Sequence, residues 1–366
     1  MGFNCGIVGL PNVGKSTLFN ALTSTAEAEV ANYPFCTIEP NIGRVAVPDE
    51  RLDVIARIAT SVNIVPTFLE IVDIAGLIRG ASTGEGLGNQ FLARIREVDA
   101  LIHMLRCFDS EDTVHVDGTV EPERDLETVE TELMLADIQR IDRRLPVLEK
   151  LEKSGDREAH RELATTHRIY TALNEGIPAR RLEYALEEQS IVDQMKLLTT
   201  KPVLYVCNVD EEHAKTGNAL SDRIVARAKA DGSSALIVSA AVEAEIAQFG
   251  SPVERSEFLN SLGLEEPGLA HIVRAGYGLL DLVTFFTAGP KEARAWTING
   301  SACAPVAAGR IHTDFEKGFI CAETIAYDDF IACEGELNAK EAGKMRQEGR
   351  NYIVRDGDVI LFRFNV

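Results

Sequence analysis

The chain has 366 residues, of which 45% are hydrophobic and 26% are charged. This is the composition of an ordinary soluble globular protein of about two or three domains, and it excludes wholesale disorder and a fibrous chain. The formal net charge of −20 disfavours a protein that coats nucleic acid with its whole surface, although a local basic patch stays possible. No stretch is long and apolar enough to cross a bilayer. We expect no signal or transit peptide, because the first predicted strand begins within the first few residues.

The cysteines are scattered singly, without the paired spacing of a zinc site or a disulfide framework. We therefore expect reduced thiols in a cytoplasmic protein. Cys36 falls in a predicted loop, where a redox role is open. The seven positions are Cys5, Cys36, Cys107, Cys207, Cys303, Cys321 and Cys333.

A phosphate-binding loop follows the apolar run from Cys5 to Val8 and leads into a predicted helix. Its backbone N–H groups can surround phosphate oxygens, Lys15 can reach the β and γ phosphates, and the Ser16 hydroxyl can ligate Mg²⁺. The chain is therefore predicted to bind a nucleoside triphosphate, the alternative being a glycine turn with no ligand. The predicted nucleotide contacts here are Asn12, Val13, Gly14, Lys15, Ser16 and Thr17.

Asn12 lies inside this loop and offers a side-chain carbonyl beside the β and γ phosphates. It could help to hold a monovalent cation such as K⁺, which would act as a fixed positive charge on the transition state. The alternative is an asparagine that only forms the turn.

Two further residues are predicted to bind Mg²⁺. Asp73 ends the predicted strand from Phe68 and is followed by Gly76, whose N–H could meet the γ-phosphate. Thr37 lies on a loop between Pro34 and Pro40 and could supply a second hydroxyl when the γ-phosphate is present. A simple turn at Asp73 and an ordinary loop threonine are the alternatives.

The residue after Gly76 is Leu77, where Ras-like enzymes have the glutamine that orients the attacking water. No catalytic side chain is certain as a result, although the Lys15 charge can act on the transition state. The glycine-dense stretch 76–88 could reorder with the nucleotide as a switch, or be an ordinary flexible loop.

Base recognition is predicted at the end of the strand from Pro202, where Asn208-Val209-Asp210-Glu211 stands in place of the guanine-specific Asn-Lys-x-Asp. A short Asp carboxylate accepts two donors of guanine, and Glu reaches differently. This difference argues against recognition of guanine and favours adenine as the base. Ser239, also at a strand end, would begin the loop over the base.

The pattern of apolar and polar residues divides the chain into three regions. Alternating strands and helices at 1–122 and 201–276 predict an α/β NTPase domain with a mainly parallel sheet. Residues 123–200 have nearly heptad apolar spacing, which predicts an inserted antiparallel helical arm of coiled-coil type. Residues 277–366 predict a small α+β module. The candidate strands are 4–8, 68–73, 100–105, 202–208, 235–239, 282–287, 293–298, 352–354 and 359–364.

Within the arm, a turn is predicted at 153–156 and a kink or helix end at Pro146. A row of basic residues recurs at helical spacing and could be a basic patch, but interleaved acids favour a solvated helix face. The row comprises Arg140, Arg143, Arg144, Lys150, Lys153, Arg157, Arg161 and Arg168.

Together these motifs resemble the Obg-like ATPase (YchF) family of translation-factor-class P-loop proteins, over the whole chain. The runs 9–17, 34–40, 73–80 and 84–91, with Asn208 and Glu211, carry the resemblance. The C-terminal stretch 307–319, with 340–344 and 356–359, resembles that family's TGS domain, a β-grasp module.

The resemblance implies Mg²⁺-dependent hydrolysis of ATP in preference to GTP, with Leu77 replacing the catalytic glutamine. It also implies binding to ribosomes and a link to oxidative-stress regulation. We expect a monomer that does not bind membranes. An Obg-type GTPase assembly factor and a nucleotide-bound adaptor without relevant turnover are the alternatives.

Overall fold

The structure is a computed structural model that describes residues 3–30, 41–74, 87–109 and 118–365. Predictions for Cys36, Thr37, Gly76 and Leu77 lie outside the described residues. The chain divides into two compact units. The first comprises Met1–Val45 and Glu70–Gly276, and the second comprises Ala46–Leu69 and Tyr277–Val366.

The strands and helices are numbered here in chain order. The strands are β1 Asn4–Val8, β2 Ile42–Ala46, β3 Asn63–Val65, β4 Phe68–Asp73, β5 Ala100–Arg106, β6 Val203–Asn208, β7 Ser234–Val238, β8 Leu282–Ala288, β9 Glu292–Asn299, β10 Phe319–Ile325, β11 Arg346–Glu348 and β12 Val359–Phe364. The helices are α1 Lys15–Val30, α2 Glu50–Ile58, α3 Leu87–Glu97, α4 Pro122–Lys153, α5 Arg157–Asn174, α6 Leu186–Met195, α7 Ala219–Ala230, α8 Ala240–Ile246, α9 Pro252–Ser261, α10 Gly268–Leu279, α11 Ala304–Ile311, α12 Thr313–Lys317, α13 Tyr327–Ala332 and α14 Glu336–Glu341. None of the helices in the described ranges is long and apolar enough to span a bilayer.

The sheet of the first unit has the strand order β2-β4-β1-β5-β6-β7. β1 pairs in parallel with β4 and β5, and β6 pairs in parallel with β5 and β7. β5 and β6 are buried along their whole length, because a parallel sheet is covered on both faces. The prediction of an α/β fold with a mainly parallel sheet is confirmed. The loops after these parallel strands meet at one edge, where ligands bind in such folds.

The helical arm consists of α4 and α5, joined by the turn predicted at 153–156. Asp156 ends the turn, and its carboxylate accepts the backbone N–H of Glu158 at 2.9 Å. Apolar residues of both helices pack with α6 in one core, which includes Ile141, Ile169 and Val192. The helix does not end at Pro146 but continues to Lys153, so the predicted helix end at Pro146 is wrong. Packing of the apolar face offsets the lost hydrogen bond.

The second unit is built on a mixed sheet with the order β11-β10-β12-β8-β9-β3. β8 and β9 form an antiparallel hairpin, while β3 pairs with β9 in parallel. The buried residues Leu52 and Ile55 of α2 pack with Phe286 and Phe330. Residues 46–69 therefore belong to this unit, which corrects the prediction that placed them in the NTPase domain.

One predicted strand of the second unit is absent. Residues 352–354 form only an isolated bridge, between Ile353 and Cys303. Their β-branched and aromatic composition favoured a strand, but a ladder needs a partner strand in register. A turn at Asp356 and Gly357 leads into β12, with a φ of 86° at Gly357.

Candidate nucleotide-binding site

The loop from Gly9 to Gly14 turns the chain sharply from β1 into α1. The backbone is left-handed at Asn12 and Gly14, with φ values of 63° and 98°. A side chain at Gly9 would meet the carbonyl oxygen of Met104 at 2.5 Å, and one at Gly14 would collide with the carboxamide of Asn208. Glycine is therefore required at both ends of this turn.

Lys15 is buried at the start of α1 and is bonded to its own loop. Its Nζ donates to the carbonyl oxygens of Gly9 at 3.0 Å and Leu10 at 2.6 Å. Burial lowers the pKa of Lys15 to about 8, although the nearby charge of Asp73 acts to raise it. The loop thus holds a cation that burial makes costly, and a phosphate would stabilise its charged form.

Asp73 ends β4 next to β1, where it pairs in register with Ile7. Burial raises the pKa of the Asp73 carboxyl, and the charges of Lys15 and Arg94 oppose that rise. Its Oδ1 atom is buried and has no hydrogen-bond partner within the described part of the chain. A buried carboxylate oxygen without a donor fits a ligand to Mg²⁺, directly or through water.

The remaining residues of the loop differ in exposure. Val13 is buried, whereas the side chains of Asn12, Ser16 and Thr17 are exposed. Ser16 and Thr17 lie on the first turn of α1, where exposed hydroxyls can reach a bound nucleotide and its metal. The left-handed backbone of Asn12 fits a turn-forming asparagine, and its role toward K⁺ stays a prediction. We call residues 9–17 with Asp73 the phosphate end of the site.

Asn208 joins the phosphate loop to the predicted base-binding loop. Its Nδ2 donates to the carbonyl oxygen of Val13 at 2.9 Å, and its Oδ1 accepts the backbone N–H of Ala240 at 2.9 Å. The side chain is buried, with 3% exposed, so both bonds are shielded from water. Asn208 therefore fixes the carboxyl ends of β6 and β7 against the phosphate loop.

The neighbours of Asn208 have different environments. Val209 is buried, and its N–H donates to the Val238 carbonyl oxygen at 2.9 Å. Asp210 accepts the backbone N–H of His213 at 3.1 Å, whereas the side chain of Glu211 is exposed. The hydroxyl oxygen of Ser239 is buried without a hydrogen-bond partner among the described residues. We call residues 208–211 with 239–240 the base end.

The sequence did not single out Arg94 or the backbone N–H of Ala240. Arg94 lies on α3, and its charge acts on Asp73. Nothing in the sequence marks one arginine of this helix above another. Ala240 lies in the predicted loop over the base, but only the fold shows that its N–H is held by Asn208.

Comparison with known proteins places these features in a family. A family described as 50S ribosome-binding GTPase matches residues 4–150, and the YchF-GTPase C-terminal family, described as a protein of unknown function, matches residues 282–365. The ribosome-binding ATPase YchF of Haemophilus ducreyi is 54% identical over 366 residues, and that of Bacillus subtilis is 49% identical over 368 residues. Each match covers 100% of both chains.

A solved structure agrees over nearly the whole chain. The Schizosaccharomyces pombe YchF GTPase is 37% identical, with a TM-score of 0.89, and the match covers 99% of this chain and 98% of that one. The full-length identity and the shared fold show that the chain belongs to the YchF family.

Proposed function

We propose that the protein is a Mg²⁺-dependent ATPase that acts as a switch and binds the ribosome from the cytoplasm. The bacterial relatives are named ribosome-binding ATPases, and the phosphate end has the groups that a nucleoside triphosphate needs. The observation that carries the proposal is the buried ammonium of Lys15 within the electrostatic influence of Asp73, whose buried Oδ1 has no hydrogen-bond partner among the described residues. We also propose a monomer with a C-terminal TGS module at 277–366.

At the phosphate end, Lys15 would exchange its two bonds to loop carbonyls for the β and γ phosphates. Ser16 and Asp73 would hold Mg²⁺, with Thr37 as a further ligand and Gly76 at the γ-phosphate. Mg²⁺ supplies positive charge that stabilises the phosphate oxygens. Asn12 is proposed to help to hold K⁺ beside the same oxygens.

Hydrolysis is proposed to be slow without a partner. Leu77 stands where related enzymes have glutamine, and an aliphatic side chain has no group that can orient water. A ribosomal partner would then raise the rate by ordering the loop that begins at Gly76. The nucleotide state, rather than rapid turnover, would be the signal that the protein passes on.

Base choice depends on the base end. The second N–H of the Asn208 carboxamide can donate to N7, which adenine and guanine share, so Asn208 does not discriminate. Asp210 is already bonded to His213, and Glu211 replaces the Asp that pairs with guanine. Val209 cannot supply the lysine of the guanine motif. Adenine is therefore favoured, with Ser239 as a further contact.

Calorimetry with Mg·ATP and Mg·GTP tests this preference. We expect ATP to bind at least about tenfold more tightly, a difference of about 1.4 kcal/mol. The double variant Val209→Lys with Glu211→Asp restores the guanine motif and should shift the ratio toward GTP, whereas Glu212→Asp next to it should not. Tighter GTP binding by the unchanged protein would favour the Obg-type GTPase instead.

Co-sedimentation with purified ribosomes, in ATP, ADP or neither, separates a switch from an adaptor. A switch should bind differently in the three conditions, because the nucleotide changes its conformation. Equal binding in all three would favour the adaptor without relevant turnover.

A further inference from the structure

Helix α8 begins at the base end and carries a buried acid one turn later. Ser239 and Ala240 belong to the base end, and the backbone N–H of Glu243 donates to the carbonyl oxygen of Ser239 at 3.0 Å. Glu243 is only 2% exposed. A buried carboxylate is costly unless donors surround it, so its hydrogen-bond partners indicate why the fold retains it.

The Glu243 carboxylate binds the start of α10. Its Oε1 accepts the backbone N–H of Gly268 at 2.7 Å, and its Oε2 accepts that of Leu269 at 3.4 Å. The first N–H groups of a helix have no partner within the helix, and a side chain directly before the helix commonly binds them. Pro267 stands at that position and has no side-chain acceptor. Glu243 therefore caps α10 from another helix.

This cap places an acid where burial opposes its charge. Burial raises the pKa of Glu243 to about 7, although the two backbone N–H groups act to lower it. A serine in place of Pro267 would cap α10 without a buried carboxylate. The need for a cap therefore does not by itself account for a glutamate on α8.

Gly268 also lies against the end of β7. A Cβ at this position would meet Oε1 of Glu243 and both methyl carbons of Val238 at 3.1 Å. The carbonyl oxygen of Val238 accepts the N–H of Val209 at 2.9 Å. Val238 and Glu243 thus contact the start of α10 on either side of residues 239–240, so this part of the base end is fixed from both directions along the chain.

The apolar contacts of α8 do not fix it in the same way. Val242 and Ile246 are buried in a core with Leu259 of α9. Apolar packing is non-directional, whereas a hydrogen bond depends strongly on distance and angle. The two bonds of Glu243 therefore set the position of α8 more sharply than its core does.

We propose that Glu243 is a positioning residue for recognition of the adenine base. It holds α8 on α10, so that the N–H of Ala240 keeps the Asn208 carboxamide oriented with its second N–H toward N7. Glu243 acts on the base through Ala240 and Asn208. The inference rests on the proposed binding of ATP and adds a residue that determines how well its base is held.

The test compares Mg·ATP with Mg·tripolyphosphate, which has the phosphates but no base. Calorimetry measures the affinity of Glu243→Ala for both. We expect ATP binding to weaken by about tenfold, since the hydrogen bond to the base is misaligned. Tripolyphosphate binding should be retained, because Glu243 makes none of the contacts of the phosphate end.

Two conservative variants separate position from charge. Glu243→Gln keeps the length of the side chain and an acceptor for the Gly268 N–H, so it should retain most of the ATP affinity. Glu243→Asp keeps the charge but is one methylene shorter, so it should resemble Glu243→Ala. The reverse order would assign the effect to the negative charge and contradict a positioning role. These two variants also decide the question if Glu243→Ala does not fold.

Asp137 provides a matched control in the helical arm. Its buried carboxylate accepts the backbone N–H groups of Leu198 at 2.9 Å and Thr199 at 2.8 Å. Asp137→Ala should lower the melting temperature, followed by circular dichroism, but leave the ratio of ATP to tripolyphosphate affinity unchanged. Glu245→Ala, at an exposed acid of α8, should change neither quantity.

Two results would overturn the inference alone. Unchanged ATP affinity in folded Glu243→Ala would show that the base end does not depend on this residue. An equal loss of affinity for ATP and tripolyphosphate would show that Glu243 supports the domain as a whole. Failure of the proposed function is seen in the unchanged protein, which would then bind ATP no more tightly than tripolyphosphate, and this result overturns both.

Discussion

The phosphate end and the base end differ in how many of their polar groups already have partners. At the phosphate end, Lys15 is bonded only to carbonyls of its own loop and Asp73 has a buried oxygen without a partner in the described residues. At the base end, Asn208 uses both ends of its carboxamide and Val209 its N–H. The phosphate end is incomplete without a ligand, whereas the base end is already formed except for the buried Ser239 hydroxyl, which has no partner among the described residues.

Because of this difference, we expect similar substitutions to have different effects at the two ends. A buried charge without a full partner costs stability and is retained for binding, so its loss should affect activity alone. A satisfied buried amide stabilises the fold, so its loss should affect the free energy of unfolding as well. Three measurements test this difference between the two ends.

The largest effect is expected from Lys15→Ala. The rate of ATP hydrolysis, measured by phosphate release, should fall by about 10²–10³-fold, because a positive charge on the transferred phosphoryl group is lost. The melting temperature should stay the same or rise, since the buried ammonium no longer has to be desolvated. Lys229→Ala on α7 is the control and should keep full activity. A melting temperature that falls together with activity would contradict the comparison.

A smaller effect, on stability and not on the rate of hydrolysis, is expected from Asn208→Ala. The free energy of unfolding should fall by about 2–4 kcal/mol, because the Val13 carbonyl and the Ala240 N–H would be buried without partners. Urea unfolding followed by circular dichroism measures this. Asn260→Ala, at an exposed asparagine of α9, should change stability little. Equal stability of the two variants would show that the base end is not held by Asn208.

The smallest effect is a change of ATP affinity with pH. The pKa of Lys15 is lowered to about 8, so the ammonium that binds phosphate is present below that pH and is lost above it. The affinity for ATP should fall about tenfold between pH 7 and pH 9, as one protonated group is lost. Calorimetry of Lys15→Arg supplies the control, since a guanidinium stays charged. An equal fall in that variant would exclude Lys15 as the cause.

The buried strands of the first unit could be predicted closely from the sequence. β1 and β4 have the predicted bounds, and β5 and β6 differ by one residue, because continuous apolar runs mark buried parallel strands. The short strands could not be predicted. β3 has three residues, and β11 reads Arg-Gln-Glu, so each is a strand only because a partner strand lies beside it.

The residue types of the candidate site could be predicted from the sequence, but the contacts between them could not. The types and order of Lys15, Ser16, Asp73 and Asn208 mark a nucleotide site. The bond from Asn208 to Val13 joins residues 195 positions apart, and no local pattern encodes it. The lowered pKa of Lys15 likewise depends on burial, which only the folded chain creates. The domain boundaries missed 46–69 for the same reason, because the pairing of β3 with β9 is not local.

Residues 46–69 belong to the second unit, although they lie between two segments of the first unit in the sequence. The chain leaves the first unit after Val45, completes the second sheet with β3, and returns along the strand that ends in Asp73. The second unit is therefore not one continuous piece of sequence. A recombination event that exchanged only the C-terminal residues would pack α2 and β3 against side chains from a different protein. Because α2 and β3 lie between two segments of the first unit in the sequence, the two units are constrained to evolve together.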